Sequence, residues 1–360
     1  LFMISNLGES QSVNFPANVE NLTLLLMESV DTAKLDMQNK VQKVLEVLVS
    51  KNIIQVSEGK YRFLKEDEIE VAHLIKSTSV TMEDRLNYIY EDIIKKVVKP
   101  NAVVTFGSKN FRIALKIDDK ELGAKGDFNL KFSIYDTTNI ENIAYNTPTN
   151  DMVVGISEWL NEDKDLRDQI LEYVRTQKYI WANSSSSTGT RTETLNNFRK
   201  ANEILLNEIK LRFEKKFMQT AIVSKNQVVR ADELNGNTPA TRFEEMVKRH
   251  MEEVYRKHQL GNGYASSNAE LINNAKSTQK QIDAVLSAAE ELNAKINLLG
   301  DAPVVGDLVK EFDKAPFGWK DVTTLDVLLR IAKKGLRRFE WRNEEIDFVT
   351  FTDKALNTRE

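Results

Sequence analysis

The sequence has no cysteine and only three histidines in 360 residues. A disulfide scaffold, a thiolate nucleophile, an iron–sulfur cluster and a Cys-ligated zinc site are thereby excluded, and a histidine-rich metal centre lacks ligands. A surplus of one charge is also missing. Fifty Lys and Arg stand against 54 Asp and Glu, a formal net charge of −4. That balance excludes a histone-like polycation and leaves room for local basic patches. Long apolar runs are lacking too. The dense stretch Leu24 to Met27 falls far short of the roughly 20 residues a membrane-spanning helix needs. No membrane partner is expected, no secretory signal is visible, and the expected compartment is the cytoplasm. Phosphate-cradling loops are absent as well, with no Gly-x-x-x-x-Gly-Lys-Ser/Thr and no Gly-x-Gly-x-x-Gly run. Gly107-Ser108-Lys109 and Gly123-Ala124-Lys125-Gly126 are fragments of such loops, placed in expected strand turns.

What remains is ample for folding. Hydrophobic residues make up 41% and charged residues 29% of the chain, which supports packed cores and argues against disorder. The length suggests about two or three domains. The chain opens Leu1-Phe2-Met3, and the expectation is a piece of a longer protein.

The pattern predicts an α+β, helix-rich fold. A buried helix is expected over Val19 to Met27 and a short helical turn over Asp31 to Leu35. A second clear helix, capped by Asp36, carries Val41, Val44, Leu45, Leu48 and Val49 on one stripe. Ile53 to Val56 and Tyr61 to Leu64 flank a Gly59-containing turn and predict a hairpin. Helices followed by a hairpin make a winged-helix-like unit over residues 17–80. An acidic helix (Glu66 to Lys76) and another bearing Leu86, Ile89, Ile93 and Val97 follow, the latter stopped by Pro100. Phe111, Ile113, Leu115 and Ile117, like Phe128, Leu130, Phe132 and Ile134, alternate with polar residues and predict a small central antiparallel sheet. Covering helices are expected at Val153 to Leu160 and Leu166 to Trp181. Ser184 to Gly189 reads as a linker, Thr192 to Met218 as a long helix, and Ala221 to Val229 as a hairpin able to complete the sheet. This α+β domain is bounded at residues 81–235. After a helix with Phe243, Val247, Met251 and Val254, a heptad seam runs through Leu271, Ala275, Thr278, Ile282, Val285, Ala289, Leu292, Ile296 and Leu299. It predicts a helical hairpin, completing a domain over residues 236–300. Residues 301–352 repeat the first logic. A short helix from Val305, a helix capped by Asp321 with Gly335 past its end, and strands at Leu336 to Trp341 and Glu345 to Val349 form a second winged-helix-like unit.

No catalytic constellation can be assembled from spacing, so no catalytic or metal residue is assigned and no cofactor is expected in this piece. His73 lies on the acidic helix near Glu66 and Glu70. His250 and His258 are too far apart to share a metal. Basic character is sharpest between Phe317 and Arg342, where seven Lys and Arg face three acids. Arg330, Lys333 and Lys334 crowd the end of a helix, and Arg337, Arg338 and Arg342 follow on the wing. Winged helices lay a helix in the major groove and set wing cations on phosphates, so these six residues are the nucleic-acid candidates. Helix-dipole complementation and edge-strand protection explain the same charges without DNA. The N-terminal unit offers only Lys40 and Lys43.

Val47-Leu48-Val49-Ser50-Lys51-Asn52-Ile53-Ile54 leading into Tyr61-Arg62-Phe63-Leu64 and then Glu66 to Ile75 resembles the winged-helix segment after the ATPase core of the BREX (bacteriophage exclusion) P-loop proteins, the BrxC and PglY family. Three further stretches resemble that family: Phe111 to Asp118, Glu172 to Ile180, and the turn Ala315-Pro316-Phe317-Gly318-Trp319 with its following helix. The resemblance spans about Val19 to Val349. It implies a region C-terminal to the nucleotide-binding core of a large AAA+-like ATPase in phage defence. ATP and Mg would belong to the parent protein, and the partners would be other BREX components or protomers of the same ATPase. The Walker motifs are absent here, so the piece itself is expected not to be an enzyme. It is expected to couple nucleotide state to partner proteins or DNA. The alternative is a DNA-binding winged-helix module acting through the C-terminal basic patch.

Overall fold

The computed structural model describes residues 1–5, 14–29, 33–51, 53–57, 59–185, 189–277, 286–300 and 302–357. The fold is α+β and helix-rich. By contacts the chain divides into two compact units, each assembled from two stretches. One takes Leu1–Val97 with Glu162–Lys215, the other Val98–Asn161 with Lys216–Glu360.

In the first unit, helices Val19–Leu26 and Lys34–Ser50 precede an antiparallel hairpin of β1 (Ile54–Ser57) and β2 (Lys60–Phe63). Leu22, Val41, Leu45 and Ile54 bury together with Ile4, with Leu48 and Val49 packed against them, so the stripe read from the sequence faces a core except at Val44, which is exposed. Asp36 lies inside the first helical turn and Ala33, three residues earlier, holds the cap position. Part of the expected turn at Asp31 and the whole of Glu58 lie outside the described residues. Helix Glu66–Ser77 follows. Its Glu68 is 2% exposed and takes both guanidinium nitrogens of Arg62 at 2.7 and 2.8 Å, the Lys65 amide at 2.9 Å and the Asn197 amide at 3.3 Å. The Arg62 hydrogen bonds, reinforced by the Lys65 amide and opposed by burial, hold its carboxyl down at about 2. Thr81 and Asp84 cap helix Met82–Tyr88 reciprocally, and a π-helical segment, Ile89–Ile94, continues it to Val97. Leu86, Ile89, Ile93 and Val97 are buried as their spacing predicts. Helices Lys164–Asn183 and Thr190–Phe217 supply the rest of this unit, up to Lys215. Between them, residues 186–188 of the expected linker lie outside the described residues.

The second unit holds the sheet, in the order β3 (Val103–Phe106), β4 (Lys109–Ile117), β6 (Phe128–Ser133), β7 (Met152–Gly155), β8 (Ile222–Ser224) and β9 (Gln227–Val229), with β5 (Lys120–Glu121) beside β4. The hairpin β8–β9 completes the sheet as expected. The two alternating strands are neighbours, but β4 and β6 run parallel, as do β6 and β7, while the flanking pairs are antiparallel. The sheet is therefore mixed. The Asp118-Asp119 turn returns the chain antiparallel onto β5, not onto β6. The loop through Gly126 then carries it back to the start of β4. There the Asp127 amide donates to Arg112 O at 2.7 Å and the Asp127 carboxylate accepts from Arg112 N at 2.6 Å. A Cβ on Gly126 would lie 2.4 Å from Arg112 O, so only glycine permits this approach. Val153 and Val154, expected to open a helix, lie in strand β7, which is buried on both faces. A short apolar run cannot be told from a helix by periodicity, and a central parallel strand has no polar side to show. The helix there is confined to Ser157–Leu160. The expected cover of Leu166 to Trp181 falls in the other unit, while helix Ile140–Asn146 packs on Val153 and Val223.

The remainder of this unit is a helical layer closed by a hairpin. Helices Asn268–Lys276 and Leu286–Leu299 both pack on helix Asp321–Lys333. Of the heptad seam, Thr278, Ile282 and Val285 lie outside the described residues. Leu271, Ala275, Leu292 and Ile296 are buried and Leu299 is exposed. Helix Val305–Asp313 leads into the Ala315–Trp319 turn, whose Ala315-Pro316 peptide is cis. Asp321 is the first helical residue and Lys320 the cap, so Asp321 complements the helix dipole rather than capping by hydrogen bond. Gly335 stops the helix with a φ of 77°. Strands β10 (Phe339–Trp341) and β11 (Glu344–Ile346) turn through Arg342 and Asn343, both with positive φ. The second strand ends at Ile346, earlier than expected, because the Asp347 carboxylate accepts the Val349 and Thr350 amides at 2.8 and 2.9 Å. Helix Phe348–Asn357 begins there.

Candidate functional site

Each histidine has a plain structural setting. His73 is exposed. His250 is fully buried, its Nε2–H donating to Asn150 O at 3.1 Å and its Nδ1 accepting from Ser224 Oγ at 2.9 Å. Burial pushes its pKa down from 6.5 to about 4. His258 is 2% exposed and donates through Nδ1 to Phe317 O at 2.9 Å, and burial lowers its pKa as well. No group of residues able to hold a metal occurs among the described residues.

The His250 setting predicts an acid sensitivity. The unfolded chain protonates this ring near 6.5 and the fold resists protonation down to about 4. The stability it supplies is full above 6.5 and is lost as pH falls towards 4, by about 3 kcal/mol. Denaturant midpoints measured on both sides of that window should show a shallower pH dependence for His250→Gln than for the parent chain. Equal slopes would remove His250 as the cause.

The two glycine-bearing fragments are turns. Gly107 sits between β3 and β4, with His258 where a Cβ would go. Gly123 to Gly126 forms the loop before β6. Neither opens a helix, so neither offers the ring of amides that a phosphate requires.

The six C-terminal cations are not equivalent. The Arg330 side chain is 12% exposed; it pairs with Asp326 at 2.9 Å, donates to Gly263 O at 2.9 Å and lies 4.3 Å from the Tyr264 ring centroid. Lys333 donates to Asn274 O and to Ser277 O, and burial lowers its pKa. Arg337 bonds the side chains of Asn293 and Asn297. These three hold the helices against one another. Lys334, Arg338 and Arg342 are exposed. Arg338 pairs with Glu340 at 2.9 Å, and Arg342 lies 5.9 Å from the Trp341 ring centroid. The structure thus presents Lys334, Arg338 and Arg342 to solvent and commits much of Arg330, Lys333 and Arg337 to internal bonds. The Asp326–Arg330 spacing of four residues was readable as an ion pair in the sequence.

Two clefts were not visible in the sequence. On the sheet, a cleft of about 320 Å³ is lined by Lys116, Lys131, Asp118, Asp119, Asp136 and Asp151. Lys116 and Lys131 are register partners on β4 and β6. Asp118 accepts the Ile134 and Tyr135 amides at 2.7 and 3.2 Å, and burial raises its pKa. The larger cleft, about 780 Å³, lies wholly in the first unit. Its floor includes the half-buried Val49, Leu64, Leu171, Phe198, Ile204 and Leu205. Glu172 stands in it, and desolvation by the surrounding protein raises its carboxyl pKa while Arg175 and Lys76 pull it down. Its size and apolar lining with a few charges are those of a binding cleft.

No solved structure matches this chain. No helix among the described residues is long and apolar enough to cross a membrane. A family model described as the fourth domain of the BREX ATP-binding protein BrxC, with a six-stranded beta sheet, matches residues 78–249. The order β3-β4-β6-β7-β8-β9 lies within that span and has six strands, with β5 as a short side pairing. Residues 78–249 are therefore similar to a domain of the ATP-binding protein of BREX systems.

Proposed function

We propose that this chain is a non-catalytic coupling region of a BREX ATPase, passing the nucleotide state of the parent protein's core to partner proteins or DNA. The observation that carries the reading is the match of residues 78–249 to a domain of an ATP-binding protein, in a chain whose sequence contains no phosphate-cradling loop. The helix–hairpin segments at either end act as winged-helix docking or lid modules in this reading. The partners are other BREX components or protomers of the same ATPase, in the cytoplasm, with ATP and Mg held by the parent's core. Two measurements test it. The chain alone should turn over no ATP, and measurable hydrolysis overturns the non-catalytic part. In the intact parent protein, amide exchange across residues 78–249 should change on adding ATP, and identical exchange with and without ATP overturns the coupling part.

A second reading, direct DNA binding through the C-terminal patch, is supported by the exposure of Lys334, Arg338 and Arg342. In a salt titration of duplex retention, changing Lys334, Arg337 and Arg338 to Ala should weaken binding and flatten the salt dependence. Retention unaltered by that triple change sinks this reading.

A further inference from the structure

The large cleft of the first unit has a construction that specifies its occupant. Helix Glu66–Ser77 and the β1–β2 hairpin supply part of its wall, and three further helices line it with residues at helical spacing. Helix Lys34–Ser50 offers Gln42, Glu46 and Val49; helix Lys164–Asn183 offers Asp168, Leu171, Glu172 and Arg175; helix Thr190–Phe217 offers Ala201, Leu205 and Glu208. These are i, i+3, i+4 and i+7 spacings, the ridges against which another helix packs. Apolar residues within the stripes are only half buried, so their packing is incomplete as the chain stands. Every stripe also carries an acid. Glu46, Asp168, Glu172 and Glu208 outnumber Lys76 and Arg175 among the charges lining the cleft.

We infer that this cleft is the docking groove for a basic amphipathic helix of a partner protein. The helix lies across the three stripes, its apolar residues on Val49, Leu171 and Leu205 and its Lys or Arg side chains on Glu46, Glu172 and Glu208. The charge excess selects against an acidic helix, because docking would bring like charges together at the rim and remove the solvent between them. The inference needs only the cleft. It goes beyond the coupling reading and fails separately from it, since no nucleotide enters its test.

The test uses the full chain and a fluorescein-labelled helical peptide with Leu at i, i+3, i+4 and i+7 and Lys elsewhere, beside a counterpart in which Glu replaces every Lys. Anisotropy should rise to saturation with the Lys peptide and respond at least about tenfold more weakly to the Glu peptide. The rim double change Glu172→Lys with Glu208→Lys, at exposed positions that leave the core intact, should raise the Kd for the Lys peptide about tenfold. Leu205→Asp should weaken both peptides, with thermal melting reporting whether the fold survives. Equal binding of the two peptides, or a Kd indifferent to the rim change, overturns the inference. So does a self-association of the chain that Leu205→Asp abolishes, because a second copy then occupies the groove.

Discussion

Replacing Asp326 by Ala is expected to cost the fold about 3–5 kcal/mol. Asp326 is fully buried on helix Asp321–Lys333 and accepts three hydrogen bonds, from the Ala265 amide at 2.9 Å, the Asn274 side-chain amide at 3.0 Å and Arg330 Nη2 at 2.9 Å. Removing the carboxylate leaves the Arg330 guanidinium, 12% exposed, without its counter-ion, and strands two further donors. Each stranded donor costs its desolvation free energy with no return. Asp326→Asn keeps an acceptor oxygen while losing the charge, so its cost should be smaller. The measurement is the denaturant midpoint of each variant at unchanged slope. Equal stability of Asp326→Ala and the parent chain would show that the network contributes nothing.

Trp319→Ala should have a comparable effect, about 3–5 kcal/mol, through a different cause. Trp319 is 1% exposed. Its ring stacks on Phe312 at 5.0 Å and meets Phe317 edge-on at 5.1 Å, and its indole N–H donates to His258 O at 3.2 Å. A Cβ on Gly261 would come within 2.9 Å of the indole nitrogen, so the pocket is moulded to this side chain. Truncation opens a large cavity and orphans a buried carbonyl. Trp319→Phe refills most of the volume and leaves only the carbonyl unmet, so it should recover more than half of the loss. A Trp319→Phe variant as unstable as Trp319→Ala would assign the effect to the hydrogen bond instead.

How much of this was legible depended on whether the signal was local. The stripe on Lys34–Ser50, the alternation in Phe111 to Ile117 and the glycine stop at Gly335 are near-neighbour patterns, and each formed the element it predicts. Strand direction was not legible, because the alternation of β6 is the same whether it runs with β4 or against it. What decided it was a side pairing of two residues and a close glycine approach. Helix Phe348–Asn357 was missed although Asp347 is a usable cap signal. The basic residues could be counted in the sequence, but their use could not. Arg337 is engaged by Asn293 and Asn297, 44 and 40 positions earlier. The large cleft was out of reach for the same reason, since its three stripes come from segments that meet only in the fold.

The division of the chain has a consequence for synthesis. The first unit is closed by Glu162–Lys215, after the chain has left to build part of the second. A ribosome that has released residue 97 has delivered only an incomplete set of the first unit's helices, and those surfaces must wait until Lys215 emerges. Neither unit can be obtained by a single truncation, and the matched span 78–249 begins within one and ends within the other. Long-range closure of this kind slows folding and exposes half-made apolar faces to wrong partners meanwhile. The two units are therefore bound to one birth order, in which residues 1–97 wait for Lys215 and residues 98–161 wait for the stretch that follows it.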